Sequence, residues 1–312
     1  MNCGRLRSLA ALALLAATLA ASGCTHFATA MMATAPNRFS TFVGDYAFQP
    51  SIDSMLGVDA EFKVKVGPPD ATLAVTVIEP AANSAPAGPR GTIVVLHGLG
   101  ARGAWMQHTA RRLTEGGYRA ILVDLRGHGR SSGEWLGYGA VESRDLVQVA
   151  DELAARGLIA GRLGVYGVSY GAATAIQWGA IDPRIEAVVA VAPFSTLRDV
   201  APNVAQTVLP GVSHLVSVDD IDAAVMETSR LAETDLDQQH PLAAIPHVRG
   251  KVLLMHGLDD RLIPAWHSQR LRNASPHNTR LLLLPYMGHN AVWFDSEGRV
   301  AKHARDWFEA CL

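Results

Sequence analysis

Leu163-Gly164-Val165-Tyr166-Gly167-Val168-Ser169-Tyr170-Gly171-Ala172-Ala173 decides the fold. A short apolar run ends in Gly-x-Ser-x-Gly, and a small-residue segment with helical character follows as far as Ala180. A serine placed between a strand and a helix occupies a strained turn, where a side chain at either flanking glycine would strike the neighbouring strand or helix. Such a turn holds a hydroxyl at a strand end, open to substrate. Ser169 therefore reads as a nucleophile, and the segment as one strand-turn-helix unit of an α/β sheet.

The same texture recurs on both sides of it. Thr92 to Leu96, Ala120 to Val123, Ala187 to Val191, Val252 to Met255 and Leu281 to Leu284 are short runs, apolar on both faces, as parallel strands covered by helices require. Helices are expected at Trp105 to Glu115, stopped by Gly116-Gly117, at Val141 to Arg156, stopped by Gly157, and at Tyr170 to Ala180. A last helix from about Glu297 carries Val300, Ala304, Trp307, Phe308 and Cys311 on one stripe. Upstream, Glu61 to Val66 alternates as a half-buried antiparallel strand, with Leu73 to Ile78 as its partner across the turn Gly67-Pro68-Pro69-Asp70. The whole predicts a doubly wound, mostly parallel sheet.

One segment breaks the rhythm. Thr196 to about His240 lacks a strong strand and has the length of a small helical cap. Asp199, Asp219, Asp220, Asp222, Glu227, Glu233, Asp235 and Asp237 face only Arg198 and Arg230, a formal charge of −6. The cap reads either as a solvated helical face or as a mouth favouring amine-bearing substrates.

A serine hydroxyl is a weak nucleophile until a base takes its proton, and the base needs an acid behind it to fix its tautomer. On this kind of sheet the chain order is serine, acid, histidine. His289, in Pro285-Tyr286-Met287-Gly288-His289-Asn290, follows the last strand and precedes the final helix, so it is the candidate base. The acid should end the preceding strand, where His256-Gly257-Leu258-Asp259-Asp260-Arg261-Leu262-Ile263-Pro264 offers two adjacent carboxylates. The backbone N–H of Tyr170, at the start of a helix, supplies one donor for an oxyanion. No H-E-x-x-H or paired Cys/His spacing points to a metal, and acyl transfer through a serine needs no cofactor. Trp105, Trp135 and Trp293 are candidates for an acyl pocket, although aromatic residues near helix starts more often belong to cores.

Leu125-Arg126-Gly127-His128-Gly129-Arg130-Ser131, after a strand ending in Asp124, resembles the D-x-R-G-H-G-x-S turn of α/β-hydrolases. The resemblance covers roughly residues 90 to 312 and is to the branch holding serine aminopeptidases, monoacylglycerol lipases and bacterial lipoprotein hydrolases. Pro241-Leu242-Ala243-Ala244-Ile245 is also typical of that branch. It implies the α/β-hydrolase fold with a small helical cap. Aligning His256-Gly257 and Pro264 on the H-G-x-x-D-x-x-V-P of these proteins puts Asp260, rather than Asp259, on the acid. His97-Gly98-Leu99-Gly100 resembles their H-G-x-G turn and assigns the second oxyanion donor to Leu99. His97 and His256 then look structural.

The implied activity is cleavage of carboxylic esters of small acyl substrates by two-step acyl transfer, with a serine aminopeptidase or amidase as the alternative. Cofactor-free perhydrolase chemistry uses the same three groups. A non-catalytic binding lipoprotein on a hydrolase scaffold is the reading from another class, and an intact Ser169, Asp260, His289 set argues against it. His289 must start neutral, so activity is expected to fall below about pH 6.5.

The 312 residues, 49% hydrophobic and 18% charged, are enough for a large core. A formal net charge of −2 leaves no basic excess, so nucleic acid is not an expected partner. Arg5 and Arg7 precede the uncharged run Ser8 to Gly23, the layout of a signal peptide at residues 1–23; a transmembrane helix competes, but the run is short for a span of about 20 residues. Ala21-Ser22-Gly23-Cys24 resembles a bacterial lipobox, in which Cys24 carries the lipid, while Ala28-Thr29-Ala30 offers an ordinary cleavage site. Both imply export. The lipobox further implies anchoring to a bacterial membrane, facing the periplasm or cell surface, with residues 24–55 as a tether and 56–312 as the hydrolase domain, its cap at about 196–240. Cys311 is then the lone thiol; without lipidation, a Cys24 to Cys311 bridge becomes available.

Overall fold

The computed structural model describes residues 26, 28–40, 57–208, 211 and 216–312. Its strands are β1 (Ala60–Val66), β2 (Ala71–Ile78), β3 (Gly91–Leu96), β4 (Arg119–Val123), β5 (Arg162–Val168), β6 (Ile185–Val191), β7 (Lys251–Gly257) and β8 (Thr279–Leu284). They form one sheet in the order β1-β2-β4-β3-β5-β6-β7-β8. β2 runs antiparallel to both β1 and β4, and the pairs from β4 to β8 are parallel. This is the α/β-hydrolase fold.

Side-chain alternation along each strand divides the interior in two. In β3, Val94 and Leu96 join one apolar cluster, with Leu146, Val149 and Ile176 from the helices Ala140–Ala155 and Tyr170–Ile181. Ile93 and Val95 face the other, against Ala110 and Leu113 of the helix Gln107–Glu115 and Val300, Ala304 and Phe308 of the helix Arg299–Cys311. Burial on both faces is why the central strands read as unbroken apolar runs. Edge strand β1 instead exposes Lys63 and Lys65 between the buried Val64 and Val66, which discourages pairing with another chain.

β3 lies between β4 and β5, so the chain leaves it to one side and later returns on the other. A crevice opens at the carboxyl ends of strands where the order reverses in this way. Leu96 pairs with Gly167, so Gly98-Leu99 and Ser169 emerge side by side at that point.

The cap segment contains the helices Leu197–Val208 and Val218–Leu231. Its acidic side chains are largely engaged: Asp222 and Asp237 on Arg198, Asp199 on Arg270, Glu227 on Arg230, and Asp220 capping its helix through Ser217. These contacts favour the solvated-face reading of the cap.

Residues 28–40, expected to lie in a tether, are packed on the body. Ala33 and Ala35 are fully buried, and their small side chains let the backbone approach the turn after β4. Ala35 N–H donates to Glu134 O at 3.1 Å, Leu136 N–H to Ala33 O at 2.9 Å and Asn37 N–H to Gly127 O at 3.0 Å. Paired backbone groups of this kind hold a segment that lacks apolar periodicity, which is why the sequence did not announce it. Residues 1–23 and Cys24, read as signal and lipidation site, lie outside the described residues. Among the described residues no helix is long and apolar enough to cross a membrane.

Candidate active site

Ser169 has φ 54° and ψ −115°, a conformation that costs a non-glycine residue about 1–3 kcal/mol. The surroundings impose it. Ser169 N–H donates to Val191 O on β6 at 2.8 Å. A Cβ on Gly171 would lie 2.6 Å from the carbonyl oxygens of Leu96 and His97, and one on Gly167 would strike the backbone of Gly171. Both glycines of the motif are therefore required by close backbone approach, as the sequence pattern implied.

His289 opens the helix His289–Phe294. Its Nε2 lies 3.2 Å from Ser169 Oγ and its Nδ1 2.7 Å from Asp260 Oδ2. The other oxygen of Asp260 accepts the backbone N–H groups of Leu262 (3.0 Å) and Ile263 (2.8 Å). Asp260 is buried, whereas its neighbour Asp259 is exposed, so it is Asp260 that meets the histidine. Burial alone would raise the Asp260 pKa, but hydrogen bonds from His256, His289 and the Ile263 backbone outweigh it and hold the group at about 2. An ionised Asp260 can only accept, so Nδ1 of His289 carries the hydrogen and Nε2 presents its lone pair to Ser169.

The expected oxyanion residues flank the same gap. A Cβ on Gly98 would lie 3.5 Å from Ser169 Cβ, which puts Leu99, the next residue, at the mouth of the site; the turn is closed by Ala101 N–H donating to Gly98 O at 3.1 Å. Tyr170 starts the helix Tyr170–Ile181, and N–H groups of a first helical turn have no acceptor within the helix. Its ring is held from below: Tyr170 OH donates to the buried Glu142 at 2.7 Å and accepts the Tyr138 N–H at 3.2 Å.

His97 and His256 have the structural roles expected, with one addition. Nε2 of His97 accepts the Leu125 N–H at 3.0 Å, so its Nδ1–H donates to Gly98 O at 2.8 Å and ties the turn before Leu99 to the end of β4. Burial lowers its pKa to about 4, keeping it neutral. In His256, Nε2–H donates to Ile263 O at 2.7 Å, leaving Nδ1 to accept from Ser268 Oγ at 2.7 Å. That same Nε2 is 3.5 Å from Asp260 Oδ2, so His256 also touches the acid. The sequence reading missed this contact; the four-residue spacing from His256 to Asp260 was the available signal. It missed equally that Asp124 fastens two loops of the site, accepting the N–H groups of Gly103 (2.6 Å) and Arg130 (2.8 Å). Among the described residues no group of three or more His, Cys, Asp or Glu side chains is placed to hold a metal ion.

Two family profiles match this chain. One, described as serine aminopeptidase, S33, covers residues 87–218, which include Leu99 and Ser169. The other, described as BAAT / acyl-CoA thioester hydrolase C terminal, covers residues 155–292, which include Ser169, Asp260 and His289. The uncharacterized protein YqkD of Bacillus subtilis is 27% identical over 184 residues, 58% of this chain and 58% of that protein's own length. Among solved structures, an esterase of Pyrococcus furiosus superposes with a TM-score of 0.63 at 18% identity, over 83% of this chain and 94% of that one. An esterase of Exiguobacterium antarcticum does so with a TM-score of 0.59 at 17% identity, over 80% of this chain and all of that one.

Proposed function

We propose, from the premise that this chain is a hydrolase of the α/β-hydrolase superfamily, that it cleaves carboxylic esters by two-step acyl transfer through Ser169, His289 and Asp260. The observation that carries the proposal is the relay from Ser169 Oγ to His289 Nε2 at 3.2 Å and from His289 Nδ1 to Asp260 at 2.7 Å, ending on a buried, ionised carboxylate.

In the mechanism, His289 Nε2 takes the Ser169 proton as the oxygen attacks the ester carbonyl. The imidazolium that forms is stabilised by Asp260, which keeps its charge. Negative charge on the former carbonyl oxygen is met by the backbone N–H groups of Leu99 and Tyr170, the latter at the positive end of a helix. His289 then gives its proton to the departing alcohol, leaving Ser169 acylated. A water molecule repeats the cycle: His289 takes its proton, the acyl group leaves as the acid, and Ser169 recovers its hydrogen.

The aminopeptidase alternative asks the cap to neutralise a substrate ammonium. Asp199, Asp222, Asp237 and Glu227 are each held by an arginine and so are less available to pair with a substrate ammonium, which supports the ester reading. Side-by-side rates on p-nitrophenyl esters and aminoacyl-anilides decide between them, with Ser169→Ala as the blank. Wild type should label with a fluorophosphonate and turn over esters, and Ser169→Ala should lose about 10⁶-fold in kcat; near-normal hydrolysis by that variant would remove Ser169 from the mechanism. Faster turnover of the anilides would transfer the proposal to the peptidase class.

Export and anchoring through Cys24 form part of the same proposal. Alkyne-palmitate labelling of cells that express the chain should mark the wild type and not Cys24→Ala.

A further inference from the structure

The three tryptophans that stood as candidates for an acyl pocket part company in the fold. Trp135 lies against the N-terminal segment, pairing with Thr34 and sitting beneath the Arg38 guanidinium. Trp105 and Trp293, far apart in sequence, meet with ring centroids 6.1 Å apart, and Trp293 stacks on Phe294 at 6.0 Å and 12°. Their position relative to the nucleophile is set by Gly98: a Cβ there would lie 3.5 Å from Ser169 Cβ and 3.6 Å from the Trp293 ring. The indole edge thus borders the same gap as Ser169, across the turn that leads to Leu99.

This aromatic group is open. Trp105 is 49% exposed, Phe294 69% and Leu99 42%. An apolar surface running directly up to a nucleophile is not needed to fill a core, and contiguous exposed apolar patches mark ligand sites. The loops are also fixed rather than free: Asp124 accepts the Gly103 N–H at 2.6 Å and so anchors the turn carrying Trp105.

We infer that Trp105, Trp293, Phe294 and Leu99 form a shelf that receives the apolar substituent of the substrate, making the enzyme selective for esters with an extended or ring-bearing hydrocarbon group. The inference rests on the ester reading above and names its substrate class. A shelf that is open on one side covers part of such a group, so each added methylene should raise kcat/KM by about twofold, short of the roughly fourfold of complete burial. The gain should appear mainly in KM, because the shelf touches the substituent equally before and during reaction.

The test uses the full chain and two ester series, one lengthening the acyl group on a fixed p-nitrophenol and one lengthening the alcohol of a fixed acetate. Wild type should show a rising kcat/KM from two to six carbons in one series, which identifies the side the shelf serves. Trp105→Ala and Phe294→Ala, both at exposed side chains, should each flatten that slope by half or more, while Trp135→Phe should keep it. The binding arm uses Ser169→Ala and the same esters, read by tryptophan fluorescence; its Kd should tighten with chain length and lose that trend when Trp105→Ala is added. Equal slopes in wild type and the shelf variants, or a wild type indifferent to chain length in both series, would overturn the inference and leave the ester reading standing. Absence of ester turnover together with chain-length-dependent binding by Ser169→Ala would do the reverse.

Discussion

Asp260→Asn tests the site most sharply, because the two side chains have the same shape and differ in one hydrogen-bonding group. In the native protein one oxygen of Asp260 accepts the Leu262 and Ile263 N–H groups at 3.0 and 2.8 Å, and the other accepts from His289 at 2.7 Å. An asparagine must keep its carbonyl toward the two backbone donors, since its NH2 cannot accept them. The NH2 then faces His289 Nδ1, which has to become the acceptor. The ring hydrogen moves to Nε2, 3.2 Å from Ser169 Oγ, where it can only donate to the serine and no longer take its proton. Loss of the correct tautomer by such a change costs about 10⁴ in kcat, or about 5.4 kcal/mol in barrier height. Asp259→Asn, at an exposed position, should stay within about twofold of wild type. Initial rates on p-nitrophenyl acetate, with circular dichroism to verify folding, give the comparison. Retention of more than about a tenth of kcat in Asp260→Asn, or an equal loss in Asp259→Asn, would refute the relay as described.

Other outcomes follow from the same contacts. Gly171→Ala puts a methyl 2.6 Å from two backbone oxygens that cannot move without opening β3 and β5, so the variant should lose more than about 3 kcal/mol in urea unfolding or fail to accumulate; wild-type stability would contradict the clash. Arg126 and Asp145 form a buried pair through two hydrogen bonds of 2.9 and 2.7 Å, so Arg126→Met should cost about 3–5 kcal/mol by stranding the carboxylate, and Arg126→Met with Asp145→Leu should recover much of it. Burial lowers His97, His128 and His267 to about 4, 3 and 4, so the unfolded chain protonates them first; stability is complete above about pH 6.5 and drains as pH falls toward 4, by about 2 kcal/mol for each at pH 5. Asp145, raised to about 6 by burial against the pull of Arg126, has the opposite sign and offsets part of that loss as pH falls below about 6. The histidines dominate, so stability should fall between pH 7.5 and 5.0, and an unchanged urea midpoint would count against neutral buried histidines.

How much was legible in the sequence depends on the range of the interaction involved. Gly167 and Gly171 around Ser169 are a local requirement of backbone approach, so the pentapeptide carried it. The central strands are buried on both faces, so their apolar runs were visible, and the stripe Val300, Ala304 and Phe308 was visible because one helix buries one face. By the same logic the alternation of Glu61 to Val66 announced a half-buried antiparallel strand, and the sheet order places it at an edge. The choice of Asp260 over Asp259 needed a motif in addition to periodicity, since both are acidic and adjacent; tertiary burial and the contact with His289 separate them.

Other features exist only between distant segments. The docking of residues 28–40 is made by backbone hydrogen bonds to Gly127 and Glu134, which leave no side-chain pattern. The short helix His289–Phe294 holds too few residues to show a period, yet it decides that Trp293 lies against the Gly98 turn, as Ser169 does, and meets Trp105. The charge of the cap was countable in the sequence, whereas its pairing with Arg198 and Arg270 was not. The sequence by itself determined the sheet, the strained serine and the order of the groups that follow it, because each is written in local spacing. Tertiary structure alone decided which tryptophans meet beside the Gly98 turn and how the acidic cap is paired with arginines, because those depend on residues far apart in the chain being brought within a few ångströms.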